Sequence, residues 1–380
     1  MDERNDMNKF RRKRRRKSFA VRGIVFLVVL VAVILIAANW RKLIEPFKDA
    51  ALNPGDGGFP VSLPGSTQYV MGELGENFYL LTDTYLYTYN AVGAELSGIQ
   101  HGFQNPASDS NNRRVIVYDR NGTEFKVFSR TSEIFSNVTE DSIVFAKAGS
   151  VERSAVVTTS SRYSNYLYIF NGEGKQIFRW ASPNEKIMQV YFGPNDDSVF
   201  VAVVGEREGD LQTSVLRFDF TNSESESWRT FLGNDVSFSL ERCGDGIYAV
   251  TSGGAFLLNE QTGEITAQSE FTRQVVGVSE TDGLRAVFFR DPGSNGEIAV
   301  AYSETLDAAA AITPDTVTAF DVCDGNLYIL SGSKLYAYNS MLECTKTHTL
   351  DDEYSDIKIM NNCAYLLGYN TVQRVALRGE

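Results

Sequence analysis

The chain has 380 residues, a net charge of −12, 43% hydrophobic and 12% aromatic residues, four cysteines and two histidines. Residues 1–22 hold ten Lys/Arg against Asp2, Glu3 and Asp6, a net +7, so the rest of the chain carries −19. An acidic body of that size argues against nucleic acid or an anionic membrane surface as its partner.

Taken in chain order, the basic tail (1–22) comes first. Residues 23–40, from Gly23 to Trp40, contain no charge. Eighteen residues of helix reach about 27 Å, just enough for a hydrocarbon core of roughly 30 Å. Trp40 stands where an interfacial aromatic belongs, and only Arg41, Lys42 and Lys48 follow closely. The positive-inside rule puts the tail in the cytoplasm and everything after the span outside. Arg11, Arg12, Lys13, Arg14, Arg15, Arg16 and Lys17 are expected to meet anionic lipid head groups. A cleaved signal peptide is the alternative, but its apolar stretch would be long and no clean A-x-A site follows. Residues 41–57, with Pro46, Pro54, Gly55 and Gly57, read as a stalk.

From residue 58 to the end the pattern is of short strands. Apolar strands that follow a turn begin near Glu76, Arg113, Arg153, Asp197, Asp245, Gly283, Gly325 and Cys363, with gaps of 37 to 48 residues. One propeller blade of four antiparallel strands needs about 40–50 residues. Strands such as Tyr85-Leu-Tyr-Thr-Tyr-Asn90, Tyr166-Leu-Tyr-Ile-Phe-Asn171 and Lys334-Leu-Tyr-Ala-Tyr-Asn339 alternate aromatic and small or polar residues and stop at Asn or Gly. The expected fold is all-β, an eight-bladed β-propeller over residues 58–380, with seven blades as the alternative, preceded by one N-terminal transmembrane helix. Strands are poorly marked at 98–112 and 131–141. The best apparent helix, Leu306–Ile312, is short and ends before Pro314. The last unit shows three strands, so Gly58-Phe-Pro-Val-Ser-Leu-Pro64 is expected to supply the fourth and latch the ring.

Cys243, Cys323 and Cys363 recur at nearly one repeat position, and no C-x-x-C pair exists. All four cysteines, Cys344 included, are expected to be small buried residues; a bridge between Cys323 and Cys344 is conceivable within one blade. His101 and His348 have no nucleophile motif beside them. Asp141, Asp196, Asp197, Asp245, Asp282, Asp324 and the run Asp351-Asp352-Glu353 mostly precede strands, where Asp bonds its own backbone and shapes a turn. Asn121 and Asn137 begin glycosylation sequons. No catalytic, cofactor-binding or metal-binding residue is assigned.

The basic tail and span, then Gly58-Phe-Pro-Val-Ser-Leu-Pro-Gly65, His101-Gly-Phe-Gln-Asn-Pro106 and Val117-Tyr-Asp-Arg-Asn-Gly122, resemble a domain-of-unknown-function family of single-pass membrane propellers from Gram-positive bacteria. That resemblance spans nearly the whole chain and implies no activity. A weaker likeness is to quinoprotein-type repeats: Asn259-Glu-Gln-Thr-Gly-Glu264 is similar to their turn, but Ile265 stands where Trp follows in them. The leading expectation is a non-enzymatic protein-binding or scaffold module in the cell envelope with an envelope protein partner and no cofactor. A carbohydrate or cell-wall binding module is the alternative, and a propeller enzyme comes third.

Overall fold

Tight turns every few residues leave the chain no route but the antiparallel hairpin, and in this computed structural model the hairpins assemble into blades. The structure describes residues 57–66, 68–220, 225–244, 246–281, 284–293, 296–314 and 316–377. The tail, the apolar 23–40 span and the stalk up to residue 56 lie outside the described residues. Among those described, no helix is long and apolar enough to cross a membrane.

Eight four-stranded antiparallel sheets follow one another: 70–100, 106–138, 143–182, 186–233, 237–270, 275–312, 319–349 and 356–376, the last completed by Val61–Ser62. We number these blades 1 to 8. The recurring apolar segments are the second strands, for instance Asn77–Leu81, Ser154–Thr158 and Cys363–Leu367, buried at every position. A strand sandwiched between two neighbouring blades has no solvent face, which is why it reads as a continuous apolar run. Apolar clusters join adjacent blades right round the ring. Each fully buried Leu, Val or Phe in them contributes roughly 1.5–3 kcal/mol.

The Tyr-and-Asn motif marks the turn between third and fourth strands in alternate blades. The side-chain oxygens of Asn90, Asn171, Asn259 and Asn339 accept main-chain N–H groups two to four residues on. In blades 1, 3 and 5 a glycine at positive φ closes this turn: Gly93, Gly174 and Gly263. An aromatic from the preceding blade packs where a Cβ would stand: Phe59, Phe135 and Trp228 respectively. Leu342, at φ 54°, holds the same place in blade 7.

Phe59 belongs to the segment that closes the ring. Val61 and Ser62 pair with Val372 and Thr371, and the Leu63 amide donates to Asn370 O at 2.9 Å. Phe59 lies edge-on to Tyr365 at 5.7 Å and 6.3 Å from Phe78, and the Tyr365 hydroxyl donates to Ala91 O. The first and last strands of the propeller thus meet in one sheet, and blade 8 is stitched to blade 1.

Two weakly marked stretches and one apparent helix prove to be strands, and the cysteine expectation changes. Ala308–Ile312 is the outer strand of blade 6, because strand pairing with Ala299–Tyr302 overrides alanine's helix propensity. Weakly marked 98–112 and 131–141 hold outer and inner strands, Glu95–Gln100, Pro106–Ser110 and Glu133–Val138, whose polar composition reflects partial exposure. Of the cysteines only Cys243 and Cys363 are buried; Cys323 is half-buried, Cys344 is exposed, and all four are free thiols. Cys323 ends the first strand and Cys344 begins the fourth of blade 7, three strand spacings or roughly 14 Å apart, too far to bridge.

Candidate functional site

The first strands line a central channel, and the sequence puts a charged residue among their apolar ones: Glu73, Asp109, Lys147, Glu241, Asp321 and Lys358. Each lies opposite the second or third residue of its blade's second strand. A cavity of about 600 Å³ opens between blades 2 and 6, lined by Asp109, Lys147, Gln189, Phe238 and Glu241 among others.

Two of these acids tie neighbouring blades by one device. Asp109 of blade 2 receives Lys147 Nζ at 2.9 Å and the Ala148 amide at 2.8 Å from blade 3. Asp321 of blade 7 receives the Ile359 amide at 2.6 Å from blade 8, with Lys358 Nζ 3.9 Å away. Burial works against the charge on Lys147, but Asp109 and Glu241 outweigh it and raise its pKa. For Lys358, burial is likewise outweighed by Asp321, Asp356 and Glu73, so its pKa also rises. Burial raises the carboxyl pKa of Glu73, with Asp321 adding to it. Glu241 is open to channel water yet ringed by protein; burial raises its pKa and Lys147 opposes the rise. For Asp321 burial also wins over Lys358 and two main-chain donors. The Tyr79 hydroxyl, 3.1 Å from Ser108 Oγ, stands between the two charged groups, sensing both Asp109 and Lys358. Gly72 makes room for its ring.

The turn acids behave differently from one another. Asp352 and Asp356 accept the next residue's amide. Asp196 does not serve its own turn. Buried, at φ 54°, it accepts the amides of Ser150, Val151, Glu152 and Arg153 from blade 3 at 2.5–2.9 Å. Asp197, Asp324, Asp351 and Glu353 are exposed, Asp141 is half-buried, and Asp245 and Asp282 lie outside the described residues.

The two histidines differ in what they touch. His101 Nε2 meets Thr82 O at 3.1 Å, Nδ1 accepts the Phe103 amide, and burial lowers its pKa. His348 sits in the outer strand of blade 7 with a buried, unpartnered Nε2; burial and then Lys346 lower its pKa. The sequon at Asn121 is an exposed turn, whereas the Asn137 amide is spent on Gly174 O. Trp180 and Trp228 are half-buried and pack into blade interfaces. The channel charges escape a search of turns and motifs. Their signal is a single charge amid apolar residues in the first strand of successive units.

A second surface stands on blade 4. Its central strands, Ser198–Arg207 and Asp210–Asp219, are ten residues each. The flanking strands stop at Val204 and Thr213, so residues 205–212 project as a two-stranded ribbon. Glu208 and Gly209, both at positive φ, make its tight turn. Leu211 on the ribbon is 50% exposed and Phe231 at its base 49%. Phe231 borders a groove of about 600 Å³ with Pro183, Glu185, Arg207, Gln212 and Arg229.

These features define a β-propeller with six axial charges, four of them engaged between blades, and a raised hairpin on blade 4. The chain belongs to a family of unknown function, DUF5711, whose model matches residues 64–377. No curated protein matches the sequence. Among solved structures, the chain resembles BamB from Moraxella catarrhalis (TM-score 0.57, 10% identity, 82% of this chain and 98% of that one). It also resembles Sqt1 from Saccharomyces cerevisiae (0.64, 9%, 85% and 100%) and the C-terminal WD40 domain of Sif2 (0.59, 11%, 85% and 100%). Identities this low show the shared fold alone.

Proposed function

We propose that this protein is a non-enzymatic protein-binding module, anchored by residues 23–40 with its tail in the cytoplasm and its propeller held outside in the cell envelope. The observation that carries the reading is the blade 4 hairpin, which exposes Leu211 and Phe231 beside a groove on an otherwise short-stranded ring. Apolar side chains raised on a rigid ribbon suit contact with another protein. Lys147, Asp109, Lys358 and Asp321 support it by being spent on blade-to-blade contacts. The test is cross-linking of tagged full-length protein in intact cells, followed by mass spectrometry. A reproducible envelope protein captured by the native chain, and lost from Leu211→Asp and Phe231→Asp variants, is the expected result. Equal capture by native and variant chains would overturn the role of the hairpin.

Phe238 favours a second reading, a small glycan or wall fragment in the channel. It is 42% exposed and lines the same cavity as Glu241. Binding of soluble wall fragments to the native chain that Phe238→Ala abolishes would move the assignment there.

A further inference from the structure

Blades 1 to 7 end in a fourth strand of five to seven residues, but blade 8 ends in only two, Val61–Ser62. Its third strand, Thr371–Ala376, therefore has an outer edge covered only at 371–372. Two bonds fix which main-chain groups face outward. The Gly368 amide donates to Thr371 O at 2.8 Å and the Leu377 amide to Asn362 O at 2.9 Å. Bonded pairs alternate along an antiparallel ladder. Gln373 and Val375 thus turn their main-chain groups inward to Cys363–Leu367, and Val372, Arg374 and Ala376 turn theirs outward. Val61 faces Val372. Beyond it the chain leaves the line, because Phe59 and Gly58 pack on the blade 1 turn around Gly93. The Arg374 amide is met by its neighbour's side chain, Gln373 Oε1, at 3.1 Å. The outward groups of Ala376 have no partner among the described residues.

Roughly 13 Å of strand edge is open here. It carries positive charge on a domain that is otherwise acidic. Arg374 is exposed on this strand, its guanidinium donating to the Cys363 sulfur, and exposed Lys346 reaches across from blade 7 to Leu377 O at 2.7 Å, at the edge's far end. Neither forms an ion pair among the described residues. An edge of this kind takes an extended segment through main-chain bonds, and side-chain charge selects which one. We propose that residues 373–376 receive an extended, acidic segment of a partner protein, which supplies the missing half of blade 8's outer strand. The Gln373 side chain is the displaceable cap that guards the Arg374 amide until then.

This proposal rests on the protein-binding reading above, and the experiment separates the two. A benzophenone amino acid is placed at Ala376, and in a second chain at Phe231, of the full-length protein in cells; photo-adducts are mapped by mass spectrometry. The expected adduct at position 376 is an Asp- or Glu-bearing peptide of another protein. Lys346→Glu, which reverses the flanking charge, and Arg374→Pro, which removes an outward amide without touching the inner ladder, should each cut its yield about tenfold while leaving the Phe231 adduct intact. The unfolding midpoint of purified Arg374→Pro shows whether its ring is whole, and Lys346→Glu stands if it is not. No adduct at 376, an adduct to residues 41–56 or to a second copy, or a yield indifferent to Lys346→Glu overturns the proposal. If the Phe231 adduct survives such a result, only the blade 8 edge is wrong; loss of both adducts defeats the protein-binding reading as well.

Discussion

Asp196 shows how much one side chain can hold. Its buried carboxylate gathers four successive amides from the neighbouring blade. Asp196→Ala should lower unfolding free energy by about 2–3 kcal/mol, since four hydrogen bonds to a charged acceptor are lost at once. A loss below about 1 kcal/mol in urea titration would show that the cluster rearranges freely. Glu73 makes the opposite case. Burial first, and Asp321 second, raise its pKa, so the fold favours its protonated form. That preference stabilises the protein fully below the ordinary glutamate pKa and is lost as pH rises through the raised value. At neutral pH the native chain therefore carries a penalty that Glu73→Gln removes. The variant should be the more stable one at pH 7 and lose its advantage near about pH 4. An advantage equal at both pH values would refute a titrating origin.

At the scale of elements, the latch is small and heavily used. Val61 is buried in the cluster that joins blades 8 and 1, with Phe78, Tyr365 and Val372. Val61→Ser should cost about 1–2 kcal/mol. Removing residues 57–64 should do more, baring Tyr365 and freeing the edge of Thr371–Ala376. Hydrogen exchange should then quicken first across residues 363–376 while Ser154–Thr158, in blade 3, stays protected. Uniform acceleration round the ring would mean that closure is shared by all blades and not concentrated at this seam.

For the whole molecule the governing quantity is charge. With −19 outside the basic tail, self-repulsion opposes the folded ring, and salt screens it. The midpoint of thermal unfolding should rise between about 0.05 M and 0.5 M sodium chloride. A fall would mean that the ion pairs between blades, such as Lys147 with Asp109, outweigh the net repulsion.

The eight-fold strand repeat, the acidic body and basic tail, and the turns at Asn90, Asn171 and Asn339 are all local in origin. They follow from which residues tolerate a half-buried strand or a positive φ, and are legible without any knowledge of the fold. The three-stranded last unit likewise pointed to 58–64, the segment that holds Val61 and Ser62. What it could not determine was which strand neighbours which across blades. Ala308–Ile312 became a strand only when a partner lay beside it, and Asp196 looked like a turn residue until blade 3 brought four amides to it. The channel charges and the half-empty edge of blade 8 arise from contacts between segments tens to hundreds of residues apart. Those features exist only once the closed ring has brought the segments together.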